Sequence, residues 1–248
     1  MNDPDYVEWR MHMHTMPLAI TALLCLLISV ASCGLLEQYK EEQDSQGKPS
    51  EWASEVVDIH YGDDAGFGQN DFPDVVLGPP GGGGTQTSSL DVLSLGVGGS
   101  ITLGFGSDSC IMDGEGDDVT ILENVFYIMG EEDNRFIETA RVAASQDGEH
   151  FVEFPAQVDT AVPLGDPRRY SGFAGVEPVL EGDTPDAVGG DRFDLDHVGL
   201  AWARYVRIQD TGGDPWDPGD EFGLGYWQAG FDLDAAGAIH PGSGSQCE

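Results

Sequence analysis

The chain has 248 residues and carries 45 Asp and Glu against 10 Lys and Arg, which gives a net charge of −35 at pH 7. Nucleic acid and anionic lipid should repel so acidic a surface, so both are excluded as direct partners of the folded domain. Apolar residues still make up 40% of the chain, many in short alternating runs, so a core can form. Two explanations of the acidity remain, a solvated acidic surface and calcium binding.

The N-terminal segment has the pattern of an export signal. A hydrophobic run over residues 18–30 is too short to cross the ~30 Å hydrocarbon core comfortably, and it ends in VASC, which resembles a bacterial lipobox. We therefore predict a signal-peptide helix within residues 1–32 and acylation of Cys33, which would hold the exported protein in a membrane. By resemblance to the sorting of enterobacterial lipoproteins, Gly34 after the cysteine, instead of Asp, favours a location in the outer membrane or at the cell surface. Secretion without acylation is the alternative.

Two segments are predicted to be flexible, and one domain lies between them. Residues 33–51 are polar and charged, which indicates a tether between lipid and domain. Residues 241–248 are rich in Gly and Ser, which indicates a flexible C-terminal tail. Residues 52–240 are then predicted to form one domain.

The pattern of this domain is all-β. Its apolar runs are short, rich in Val, Ile, Phe and Tyr, and bounded by Gly, Asp and Pro, and with 35 glycines they predict a β-sandwich or a jelly roll. The resemblance described below implies the jelly-roll β-sandwich of the two. A hairpin turn is expected at Asp147-Gly148. The predicted strands are Ser54–Ile59, Ser100–Phe105, Val119–Tyr127, Thr139–Ser145, Phe151–Phe154, Arg204–Gln209 and Phe231–Ile239.

One short motif occurs twice. The letters FDLD stand at residues 193–196 and again at 231–234. Two copies do not make a repeat protein, which needs at least three. We expect Phe and Leu of each copy to face the core and the aspartates to face loops or solvent; a shared type of ligand is the alternative.

Two cysteines remain after the predicted signal and anchor, Cys110 and Cys247. In an oxidising compartment an even pair predicts a disulfide, here one that ties the tail to the sandwich. Two unpaired thiols are the alternative, because Cys247 lies in the Gly/Ser tail. A structural zinc site has no support, because no C-x-x-C motif occurs.

Two acidic loops are candidate calcium sites, because carboxylates spaced by glycine or proline can direct several oxygens at one hard cation. The first loop spans residues 113–118, and an exposed turn is its alternative. The second spans residues 210–221 and has aromatic residues beside it that could stack on a sugar. The candidate metal ligands are Asp113, Glu115, Asp117 and Asp118 in the first loop, and Asp214, Asp217 and Asp220 in the second. The candidate ligand-binding aromatics are Trp216 and Tyr226.

Several stretches together resemble a family of bacterial cell-surface lipoproteins without established activity. The stretches are LGPPGGGG (77–84), LDVLSLGVGGSITLGFG (90–106), GEGDDVTILENVFY (114–127), ASQDGEHFVEFP (144–155), YSGFAGVEPV (170–179), FDLDHVGLAWARYVRIQDTG (193–212) and GFDLDAAGAI (230–239). The segments at 145–148 and 203–208 are also similar to discoidin-like domains. That resemblance implies a galactose-binding-like sandwich, often with a structural calcium and a ligand face made of loops, and it implies no enzyme.

These observations predict a lipid-anchored cell-surface binding or adhesion module that is not an enzyme. Its partner outside the cell would be a glycan or a surface protein, and calcium would stabilise its loops. The common hydrolase, metalloprotease and nucleotide-binding motifs do not occur in the sequence. One alternative is a polysaccharide hydrolase that uses paired carboxylates, and another is a purely structural envelope lipoprotein.

Overall fold

The computed structural model describes residues 49–85, 89–212 and 230–248. The predicted signal peptide, Cys33 and most of the predicted tether lie outside these residues. In the described part of the chain, no helix is long and apolar enough to cross a membrane.

Regular structure in the described residues consists of β-strands and short 3-10 helices, so the predicted all-β class is confirmed. The strands are β1 (Glu55–His60), β2 (Leu93–Ser94), β3 (Ser100–Gly104), β4 (Ser109–Met112), β5 (Val119–Glu123), β6 (Phe126–Tyr127), β7 (Arg135–Phe136), β8 (Ala140–Ser145), β9 (Val152–Glu153), β10 (Gln157–Val158), β11 (Tyr170–Ser171), β12 (Asp191–Phe193), β13 (Trp202–Ala203), β14 (Tyr205–Asp210), β15 (Asp232–Ala238) and β16 (Pro241–Ser243). The 3-10 helices are Asp74–Val76, Ile128–Gly130, Pro167–Arg169, Leu195–Val198 and Gly244–Gln246.

Two antiparallel sheets form the jelly-roll sandwich. The first has the strand order β1-β3-β14-β8-β9 and the second the order β12-β5-β15-β2. Most neighbours are far apart in sequence, as in a jelly roll. One apolar core lies between the sheets. Its buried residues include Ile101, Leu103, Val142, Val206 and Ile208 from the first sheet and Val119, Ile121, Phe193, Leu233 and Ala236 from the second.

The seven predicted strands are all present; β1 and β14 are shifted by one residue from the predicted bounds, and the others are shorter than predicted. The segment Val119–Tyr127 was expected to be one strand and is two, because β5 pairs with β12 and β15 whereas β6 pairs with β7 in a separate ribbon. The hairpin at Asp147-Gly148 is confirmed. Gly148 has a φ of 77°, and β8 and β9 pair on either side of the turn.

The C-terminal segment differs from the flexible tail that its composition predicts for residues 241–248. Strand β16 pairs with β4, placing Gly242 opposite Cys110, and Cys247 forms a disulfide with Cys110 at a Cα–Cα distance of 6.4 Å. A Cβ atom at position 242 would meet the Met112 side chain first, with Met112 Sδ at 2.7 Å, and would lie 3.0 Å from the Cys110 sulfur. Glycine is therefore needed here for close packing, which composition alone does not distinguish from flexibility.

A pair of leucine substitutions tests the position of the core. Leu103 is fully buried between the sheets, whereas Leu90 is 80% exposed. Leu103→Ala should lower the free energy of unfolding by about 2–5 kcal/mol, because it leaves a cavity in a packed core. Leu90→Ala should change it by less than about 0.5 kcal/mol. Urea denaturation measures both, and equal effects of the two substitutions would contradict the packing described.

Candidate functional site

Carboxylates stand at both ends of strand β5, which runs through the second sheet. Asp118 immediately precedes the strand and Glu123 is its last residue, so about 16 Å separates them along it. Each belongs to a group of three acids whose ligand atoms lie within 4.8 Å of one another. The outer cluster consists of Asp113, Asp118 and Asp194, and the buried cluster of Glu123, Glu138 and Asp232. Acidic clusters in the described residues could therefore hold a metal ion.

Asp118 organises the outer cluster and is fully buried. One carboxylate oxygen accepts hydrogen bonds from the amide of Gly114 at 2.7 Å and from His240 Nδ1 at 2.8 Å, and the other accepts one from the amide of Leu195 at 2.8 Å. These bonds connect the loop before β5, the start of a 3-10 helix and the chain after β15. The Asp118 oxygens are thus largely occupied by donors of the protein itself.

The first predicted calcium loop is assembled only in part. Asp113 and Asp118 come together, but their third partner is Asp194, while Glu115 and Asp117 are exposed and lie outside the cluster. Desolvation and the negative charge of Asp118 raise the pKa of Asp113. The tight turn around two glycines directs alternate side chains to solvent, so the four acids do not converge.

Most of the second predicted loop lies outside the described residues. Its acids and aromatic residues lie outside the described residues: Asp214, Asp217, Asp220, Trp216 and Tyr226. Both ends of this segment are described. The Asp210 carboxylate accepts hydrogen bonds from the amides of Gly212 at 2.7 Å and Phe231 at 2.9 Å. The buried Asp210 side chain therefore links Gly212 and Phe231, the residues on either side of this segment.

The buried cluster was missed in the sequence. Glu123 is 1% exposed and Glu138 6% exposed. Burial and the charge of Asp232 raise the pKa of Glu123 well above its usual range, against the opposing effect of the nearby amide of Asn124. Burial also raises the pKa of Asp232 to about 6. A single acid inside an apolar run, as at Glu123 and Glu138, is the signal that could have identified these positions.

A cleft of about 430 Å³ lies beside the outer cluster. Its volume falls within the range of ligand-binding clefts in proteins. Phe154 and Phe193 form an apolar floor, with ring centroids 5.0 Å apart. Polar side chains around that floor offer both hydrogen-bond donors and acceptors: Asp117, Gln157, Arg192, Asp194 and His197. Asp194 thus belongs to both the cleft and the outer cluster, and only Asp117 of these residues was predicted as a site residue.

Comparisons with known proteins assign no family to the chain. No protein-family model matches it, and no curated protein matches it. Among solved structures, it is similar to the C-terminal domain of a chitobiase from Bacteroides fragilis. The two share 9% sequence identity at a TM-score of 0.38, and the match covers 79% of this chain and 96% of that one. At these values the similarity supports no conclusion about the function of this chain.

Asp191, next to the cleft, shows how a buried carboxylate is held in this fold. Its oxygens accept hydrogen bonds from the amides of Gly175 at 2.7 Å, Val176 at 2.9 Å and Glu177 at 3.2 Å. Burial raises the pKa of Asp191 to about 7, although these amides act in the opposite direction. The folded protein therefore binds a proton at Asp191 over a pH range in which the unfolded chain has lost it.

The raised pKa of Asp191 predicts a loss of stability as the pH increases. Between its unfolded value of 3.8 and about 7, the folded state binds more protons, so the free energy of unfolding falls across this window. Asp191→Asn keeps an oxygen for the amides but removes the titration. Across the window, the free energy of unfolding of the wild type should therefore fall by up to about 4 kcal/mol more than that of the variant. Urea denaturation across the window compares the two proteins, and parallel pH profiles would contradict this role.

Proposed function

We propose that this chain is a non-catalytic binding module displayed outside the cell, and that its cleft recognises a glycan. The observation that supports the proposal is the arrangement of Asp117, Gln157, Arg192 and His197 around the apolar floor of the cleft. A sugar presents hydroxyl groups that both donate and accept hydrogen bonds, together with apolar C–H faces. The cleft offers partners for both kinds of surface.

The charge of the protein narrows the class of ligand. The chain carries a net charge of −35, so long-range repulsion disfavours an anionic polysaccharide. Arg192 is already paired, through a 3.1 Å hydrogen bond to an Asp186 oxygen. A neutral glycan needs no free cation in the cleft, so it fits these residues better than an acidic one.

A polysaccharide hydrolase is the second candidate function. Asp117 and Asp194 both line the cleft. Glycoside hydrolysis uses two carboxyl groups about 5–9.5 Å apart on either side of the scissile bond. Product formation from an oligosaccharide panel that is lost in Asp117→Asn would support the hydrolase and contradict the binding module. Binding without turnover would support the module.

Calcium is the metal that we propose for the acidic clusters. Their ligand atoms are all carboxylate oxygens, which prefer hard cations such as calcium and magnesium. Two oxygens bound to one calcium ion can be up to about 5 Å apart, and the 4.8 Å limit within each cluster lies inside that span. Magnesium requires shorter bonds and a stricter octahedral geometry.

A pair of arginine substitutions tests the cleft. Arg192 lines it, whereas Arg141 pairs with Glu153 at 2.9 Å and is absent from its lining. Arg192→Ala should weaken binding of a neutral oligosaccharide by about tenfold, because a hydrogen-bond donor is lost. Arg141→Ala removes an equally charged, salt-bridged side chain and should bind as the wild type does. Calorimetry on ligands selected from a glycan array measures both. An array without any binder, or equal losses in the two variants, would contradict the proposal.

Acylation of Cys33 is the proposed anchor, and it can be tested separately. Mass spectrometry of the protein from its native membrane should find an N-terminus that begins at Cys33 and carries acyl chains. Cys33→Ser should move the protein from the membrane fraction to the aqueous fraction, since several buried acyl chains supply the affinity. An unmodified N-terminus would favour simple secretion and would have no bearing on glycan binding in the cleft.

A further inference from the structure

The buried cluster combines residues from both sheets of the sandwich. Glu123 ends β5 and Asp232 begins β15, two paired strands of the second sheet. Glu138 stands two residues before β8, a strand of the first sheet. Three carboxylates that are distant in sequence therefore meet where β5 ends, β15 begins and the chain enters β8.

Glu123 is a buried acid, and the nearby amides do not satisfy its carboxylate with hydrogen bonds of ordinary geometry. It is 1% exposed, and neither of its carboxylate oxygens accepts a hydrogen bond of ordinary geometry. Asp232 has one buried oxygen, Oδ1, in the same condition. An isolated buried charge costs several kcal/mol or more, so a buried acid is paired, coordinates a metal or keeps its proton. The lone pairs of Glu123 are therefore available to a ligand inside the cluster.

The surrounding charges increase the need for a cation. The charges that act on Glu123 are those of Asp232 and Asp191, and the charge that acts on Asp232 is that of Asp210. All of them are negative. Asp118 differs from Glu123 because three donors of the protein satisfy its carboxylate, and one of them is the ring of His240. The two clusters are chemically unlike, although each contains three acids.

We propose that Glu123, Glu138 and Asp232 bind one calcium ion, which ties the two sheets of the sandwich together at this end. This inference deepens the calcium part of the proposed function by assigning the ion to one cluster, and it does not depend on the glycan cleft. Three carboxylates can supply up to six oxygens, within the six to eight that calcium takes. The ion would neutralise Glu123, whose two carboxylate oxygens accept no hydrogen bond of ordinary geometry.

The position of the ion gives it a structural role. Asp232 lies one residue after Phe231, whose amide is held by Asp210, and Asp210 also holds the amide of Gly98 at 2.7 Å. Coordination of Asp232 would therefore stabilise the start of β15 and its pairing with β2. Glu138 would connect this point to the start of β8. Removal of the ion should loosen this end of the sandwich and lower the melting temperature.

The experiment uses the full chain, purified in detergent and stripped of metal with EDTA. Calcium titrated into it should bind with a stoichiometry of one at this site, and calcium should raise the melting temperature by several degrees, since a ligand of the native state stabilises by mass action. Glu123→Gln should weaken calcium binding by about 100-fold or more, because it removes a ligand charge that nothing else replaces. The metal-free variant should melt close to the metal-free wild type, because a neutral amide replaces the unpaired acid.

Asp113→Asn is the matched control, since it removes an acid from the outer cluster. It should leave calcium binding at the buried cluster intact. A calcium response that survives Glu123→Gln but is lost in Asp113→Asn would overturn the inference. Calcium would then bind at the outer cluster, and the calcium part of the proposed function would stand. Absence of any calcium binding to the wild type would overturn both, while glycan binding would be tested independently. If Glu123→Gln fails to fold, Glu138→Gln serves in its place, with the same expected loss.

Discussion

Hydrogen bonds from backbone amides to buried carboxylates hold the loops of this sandwich in place. Asp118 and Asp210 each accept from several segments and Asp191 accepts from three consecutive amides of one other segment, and all three aspartates are at most 6% exposed. A protein with 45 acids and 10 Lys and Arg cannot pair every buried acid with a cation. Backbone N–H groups at strand ends donate to the buried acids instead. These groups have no partner on a neighbouring strand, and a carboxylate accepts strongly from them.

The arrangement explains why the strand ends, and not the sheets, carry the candidate sites. The core between the sheets is apolar and closely packed, and the acids of the two clusters lie at or beyond the ends of strands. At one end of β5, donors of the protein satisfy Asp118. At the other end they do not satisfy Glu123, and that difference separates a structural hydrogen-bond network from a candidate ion site.

The repeated FDLD motif illustrates the same difference within one sequence pattern. Both Phe residues and both Leu residues are buried in the core, as the pattern predicts. The first aspartate of each copy, Asp194 or Asp232, joins one of the two acid clusters. The surroundings of the copies are unlike, since Asp194 borders the exposed cleft and Asp232 lies beside the buried carboxylates of Glu123 and Glu138. The same four residues therefore serve different chemistry, because the neighbouring strands supply different groups.

Local pattern was sufficient for the all-strand class, the seven main strands and the hairpin at Asp147-Gly148, because alternation and turn chemistry act between residues close in sequence. It was insufficient for the buried cluster. Glu123, Glu138 and Asp232 meet only through the order and register of strands, which depend on long-range pairing that no local period encodes. The C-terminal segment shows the same limit. Its glycines predict flexibility, and only the pairing of β16 with β4 makes them requirements of close packing.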